Sequence, residues 1–129
     1  MRVQSYRDLT VWQKAMELVT ESYRLAKLLP KNESFGLISQ IQRSAISIPA
    51  NIAEGHGREH LGDYLHHLSI ANGSLLELET HLPIAERLGY FTRNQVAKTM
   101  ERASEVGQML AGLKRRLNNL GPRRQPADT

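Results

Sequence analysis

Cysteine is absent from this 129-residue chain, which excludes disulfide frameworks, thiolate nucleophiles and Cys-ligated zinc, and fits a reducing compartment. Aromatic residues are scarce, at 5% with a single tryptophan, so a stacking platform for single-stranded nucleic acid has little to be built from. No apolar run reaches the length that spans a bilayer, and the opening MRVQSYRDL lacks the apolar stretch of a signal peptide. A cytoplasmic protein without membrane contact is expected. Catalytic signatures are missing too. There is no Gly-x-Ser-x-Gly, no phosphate-cradling glycine loop followed by Lys-Ser/Thr, and no His-Glu-x-x-His. Nor is there a Glu-x-x-His of the kind that builds di-iron bundles. His56 and His60 are four apart but straddle a glycine break, which denies them a secure helical pairing. The expectation is therefore no enzyme, no cofactor, no metal and no small-molecule substrate. Strand-like alternation and internal repeats are likewise lacking.

What remains is helical periodicity. Trp12, Ala15, Met16, Val19, Tyr23, Ala26 and Leu29 recur at steps of three and four and predict a first helix over 7–29, with Asp8 or Thr10 as its cap. Pro30 ends it, and a central helix is expected to begin at Glu33 or Ser34. Pro49 removes a hydrogen bond within that helix, so a kink between Ala45 and Pro49 or a split into two helices is expected, and the apolar spacing continuing on both sides favours the kink. Gly55-His56-Gly57 closes it. A third helix follows over 61–88, where Tyr64, Leu68, Ala71, Leu75, Leu78, Leu82 and Ala85 form a heptad-like seam. Gly89 ends it, and Thr92 with Gln95 forms a capping box for a last helix running to Asn118 through Val96, Met100, Ala103, Leu110, Leu113 and Leu117. Four such helices with short links imply an all-α, up-down-up-down antiparallel four-helix bundle over 1–120 with a disordered basic tail over 121–129.

The central helix is the unusual one. At 100° per residue Ile38, Ile41, Ala45, Ile48 and Ile52 form a stripe about 80° wide, an ordinary core face. Nearly opposite lie Arg43, Ser47, Asn51, Glu54 and Arg58, with Ile46, Ala50 and Ala53 filling the flank between. An outer helix usually carries unpaired Lys and Glu there. Small and hydrogen-bonding residues instead predict a helix covered on both sides. The third helix has a similar second stripe in Ile70, Ser74, Glu77 and His81. Arg43 or Arg58 can pair with Glu54 or Glu77, and Ser47, Asn51 and Ser74 can satisfy one another. The favoured reading is a polar network that sets helix register or subunit packing. A ligand or catalytic site is the lesser alternative, because the set lacks an evident nucleophile and base.

Charge is uneven. Residues 1–92 hold nine Lys and Arg against ten Asp and Glu, whereas 93–129 hold eight against three. Arg93, Lys98, Arg102, Lys114, Arg115, Arg116, Arg123 and Arg124 are the candidate nucleic-acid contacts. The same pattern fits simple solvation and the dipole at a helix end.

Three stretches together carry a resemblance: YRDLTVWQKAMEL (Tyr6 to Leu18), LPKNESFGLISQIQRSAISIPANIAEGHGR (Leu29 to Arg58) and LSIANGSLLELETHL (Leu68 to Leu82). The chain resembles the bacterial four-helix-bundle proteins encoded in intervening sequences of 23S ribosomal RNA genes, most specifically in RSAISIPANIAEG from Arg43 to Gly55. The resemblance also takes in the related accessory proteins of diversity-generating retroelements. It implies a ring-shaped homopentamer with basic surfaces that engage RNA or DNA, and it places Arg43, Ser47, Asn51, Glu54, Arg58, Ser74 and Glu77 on motif positions. The expectation is a non-enzymatic homo-oligomer, a pentamer by resemblance, that binds nucleic acid. The alternative is a structural or protein-binding oligomer that does not.

Overall fold

The computed structural model describes residues 5–124, with 121–124 by backbone alone. Among them there are four α-helices and no strand: α1 (Thr10–Ala26), α2 (Leu37–His56), α3 (Leu61–Arg87) and α4 (Arg93–Arg124). They pack as the four-helix bundle that the periodicity implied. Contacts between neighbours run in opposite sequence order. Ser47 meets Ser74 while Asn51 meets His67 across α2 and α3, and Leu75 lies at Gly107 while Ser69 meets Lys114 across α3 and α4. No helix among the described residues is long and apolar enough to cross a membrane.

The core is one cluster. α2 contributes Ile41, Ala45, Ile48 and Ile52, and α3 contributes Leu68, Ala71, Leu75, Leu78, Leu82 and Ala85, which is the expected seam. α4 adds Val96, Ala103, Val106, Leu110 and Leu113. In α1 the buried residues are Val11, Ala15, Leu18, Ser22, Leu25 and Ala26, so that of the predicted line Ala15 and Ala26 are in the core, as is Leu29 just after the helix, while the rest is shifted. Trp12 and Val19 are half-buried at its edge, and Met16 is exposed. The true line also has steps of four and three, but the polar Ser22 interrupts its apolar reading.

Local chemistry explains the remaining boundaries. A 3₁₀ turn at Tyr6–Asp8, closed by a capping box between Ser5 and Asp8, precedes α1, so neither Asp8 nor Thr10 caps that helix. A second 3₁₀ turn, Lys31–Glu33, delays α2 to Leu37, later than expected. There the Glu33 carboxylate accepts from the Leu37 N–H at 3.1 Å and from the Tyr90 hydroxyl at 2.9 Å, fastening this turn to the link after α3. α2 continues through Pro49 as one helix, so the alternative of two separate helices does not occur. Neither Gly55 nor Gly57 takes a left-handed conformation. Gly55 is buried within α2, and Gly89, at φ 85°, is the left-handed residue that closes α3. The Tyr90 N–H reaches back to the Ala85 carbonyl there, completing the termination motif. Thr92 and Gln95 exchange the two capping-box bonds at 2.8 and 3.2 Å. α4 then runs to Arg124 rather than Asn118 and takes in Pro122. Of the tail expected to be disordered, 125–129 lie outside the described residues.

Candidate oligomer and nucleic-acid interface

α2 and α3 approach closely because Gly55 has no side chain. A Cβ built there would lie 2.9 Å from the His67 Cβ and 3.2 Å from the Tyr64 carbonyl oxygen. Alongside that contact the polar residues of the two helices form a chain. The Ser74 hydroxyl donates to the Ser47 Oγ at 2.7 Å, and the Asn51 amide donates to the same oxygen at 3.0 Å and to the Ser47 carbonyl at 2.9 Å. The Asn51 Oδ1 then faces the His67 Nδ1 at 3.0 Å. Since Oδ1 can only accept, Nδ1 carries the proton in this orientation. Within this network no hydroxyl is bonded to a histidine nitrogen, so it holds no serine activated by a base.

The candidate residues thus divide. Ser47, Asn51 and Ser74 are brought together at the α2–α3 seam, where Ser74 is buried and Ser47 and Asn51 are half-buried. Glu54 and Arg58 pair with each other at 2.6 Å on the surface, one turn apart. Arg43 and Glu77 are exposed, and among the described residues neither forms an ion pair. Beside them Ile46 is 46% and Ile70 38% exposed, and Ala50 and Gly73 are open to solvent. A Cβ on Gly73 would meet nothing within 4 Å. The outward positions of α2 and α3 therefore include the exposed apolar or small residues Ile46, Ala50, Ile70 and Gly73 together with one cation, Arg43, and one anion, Glu77. His67 went unassigned in the sequence, although it extends the stripe of Ile70, Ser74, Glu77 and His81 by one step of three.

The basic candidates do not form one patch. Arg93 and Arg116 are separated by about 35 Å along α4 at 1.5 Å per residue. Near one end Arg93 pairs with Glu86 at 3.3 Å, and Lys98 is exposed. Near the other, Lys114 donates to the Ser69 hydroxyl at 3.1 Å, and Arg115 and Arg116 are exposed. Burial pushes the Tyr64 phenol above its ordinary value, and the charge of Arg116 opposes that shift. Arg102 corrects the sequence reading most clearly. Its side chain is only 19% exposed and is held by Glu17, Glu21 and Glu105 at 3.0, 3.1 and 3.5 Å. That guanidinium ties α4 to α1 and has no charge to spare for phosphate. Arg123 and Arg124 fall in the last turn of α4, and their side chains lie outside the described residues.

No curated protein matches the chain. The profile of the family described as 23S rRNA-intervening sequence protein matches residues 7–112. Among solved structures, the chain is similar to a protein of unknown function from the S23 ribosomal protein family of Bacteroides thetaiotaomicron. The TM-score is 0.76 at 29% identity, over 81% of this chain and 98% of that one.

Proposed function

The chain belongs to the family of 23S rRNA-intervening sequence proteins, and on that footing we propose that it acts without catalysis, as a cytoplasmic homo-oligomer that binds structured RNA or another nucleic acid. Five subunits is the number that the family resemblance implies. The observation that carries the self-association is the outward face of α2 and α3. Ile46, Ala50, Ile70 and Gly73 are exposed there, and Arg43 and Glu77 form no ion pair among the described residues, which leaves them for charges on another molecule. Exposed apolar side chains beside unpaired charges are a usual mark of an interface. Self-association then bears on nucleic acid. One copy carries a formal +4, and five copies carry about +20, enough for individually weak phosphate contacts to act together.

The test is a titration of labelled structured RNA and of duplex DNA at several salt concentrations. Wild type is compared with a variant in which Lys114, Arg115, Arg116, Arg123 and Arg124 become Gln, and with a second in which Arg93 and Lys98 do. Affinity should fall steeply with salt and be lost with the first set. Absence of binding at low salt by an assembled oligomer overturns the nucleic-acid reading. The alternative would then stand, a structural or protein-binding oligomer, which the neutralisation of Arg102 by three carboxylates favours.

A further inference from the structure

Phe35 is 99% exposed. It stands on the turn before α2, and that turn is fastened: Glu33 is bonded to the Leu37 N–H and the Tyr90 hydroxyl, and the Ser34 hydroxyl donates to the Lys31 carbonyl at 2.7 Å. The phenyl ring is presented to solvent by a braced loop. Gly36 makes the bracing possible, since a Cβ there would lie 2.7 Å from the Glu33 Oε1.

Elsewhere on the same chain is an open apolar groove of about 290 Å³ between α1 and α2, lined by Trp12, Met16, Ile46, Pro49 and Ala50 among others. It is large enough for a phenyl ring. The chain's own Phe35 cannot fill it, because it precedes α2 and Ile46 and Ala50 lie about 14 to 20 Å along that helix from its first residue, Leu37, at 1.5 Å per residue. The groove shares Ile46 and Ala50 with the outward face described above, so it continues the surface that self-association would cover.

We infer that Phe35 of one copy seats in the α1–α2 groove of a second copy. The inference rests on the self-association proposed above and names its contact. The knob and its socket occupy different parts of the chain, so the contact is heterologous: each copy gives a ring through one surface and receives one through another, as closed rings of subunits require. Pro49 acquires a role in this arrangement, since it forms part of the socket wall while remaining inside a continuous helix.

Trp12 is the chain's sole tryptophan and lies in the groove, so its emission reports occupancy directly. Native mass and Trp12 emission should be followed on dilution for wild type, Phe35→Ala and Ala50→Glu, with circular dichroism to verify folding. Both substituted residues are exposed, so the helical fold is expected to persist. Wild type should show a red shift in emission as the oligomer dissociates, and each variant should dissociate at a concentration at least about tenfold higher, the minimum expected where a buried aromatic anchor is lost. At concentrations where each variant alone is dissociated, a mixture of the two should form heterodimers and nothing larger, because one sound knob and one sound socket remain per pair. A wild type that is monomeric throughout overturns the self-association and this contact with it. An oligomer whose mass and emission are unmoved by both substitutions overturns the Phe35 contact alone.

Discussion

Replacing Gly55 and Gly73 by Ala, one at a time, separates packing from helix propensity within two helices of one protein. Both glycines lie inside helices, and alanine is intrinsically better there by about 1 kcal/mol. At Gly73 nothing stands within 4 Å of the added Cβ, so the gain should be realised, raising the melting temperature by about 3 to 5 °C in a domain of this size. At Gly55 the same methyl meets the Tyr64 carbonyl oxygen at 3.2 Å and the His67 Cβ at 2.9 Å. A carbonyl oxygen and a Cβ cannot swing aside, so α2 and α3 must part. Overpacking of this kind costs about 1–3 kcal/mol. Parting also stretches the Ser74–Ser47 and His67–Asn51 bonds, with net values of about 1 kcal/mol each. Gly55→Ala should therefore be destabilising by roughly 1–3 kcal/mol net of its propensity gain. Urea unfolding at matched protein concentration reads both, since association also shifts apparent stability. Gly55→Ala as stable as wild type would refute the close approach of α2 and α3.

Other perturbations follow from the same geometry. Arg102→Met leaves Glu21, 11% exposed, facing α4 with no counter-charge; it should cost about 2 kcal/mol in urea unfolding, and adding Glu21→Leu should restore much of the loss. Asn51→Leu deprives Ser47 of one donor and His67 of its acceptor, so a loss of about 1–2 kcal/mol is expected by the same assay. The Tyr90 phenol is held above the ordinary tyrosine value of 10.0 first by its hydrogen bond to Glu33, then by burial and the Glu33 charge. The folded state thus binds that proton more tightly than the unfolded chain does. The resulting stability is fully present below pH 10 and lost as pH rises through the folded value. Urea midpoints from pH 8 to 11 should fall above pH 10, and Tyr90→Phe should flatten that fall.

Much of the bundle was legible because its seams are apolar and regular. Leu68 to Ala85 repeats at fours and threes without interruption, and every member of that stretch is buried. The α1 line was misread because Ser22 occupies a core position, completely buried with no hydrogen-bond partner for its hydroxyl. An apolar pattern cannot announce a polar residue in the core. The Ser47, Asn51 and Ser74 network was foreshadowed by short polar residues on facing stripes, and His67 belonged to it by spacing. Arg102 was counted with the basic residues because its partners Glu17 and Glu21 belong to a helix far away in sequence. Phe35 carried no periodic signal at all. A single aromatic in a link between helices reads the same whether it is tucked in or held out, and the bonds that fix the turn holding it out include one from the Tyr90 hydroxyl to Glu33, 57 residues apart in sequence.

The polar stripe of α2 and the outward face beside it consequently do different work. Ser47, Asn51 and Ser74 direct their hydrogen bonds into the seam between α2 and α3, where a neutral network fixes register without burying a net charge. Arg43, Ile46, Ala50, Gly73 and Glu77 lie outside that seam and add little to the protomer's own packing. Because the inner network sets how α3 lies along α2, it also sets the spacing of Ile46 and Ala50 against Ile70 and Gly73. Changes to the inner set should lower protomer stability first and native mass only through it. Changes to Arg43, Ile46, Ala50 or Glu77 should alter native mass while leaving the unfolding of the separated protomer near wild type. The two groups are interleaved within the same three turns of α2, so substitutions a few residues apart on one helix are sufficient to tell register from recognition.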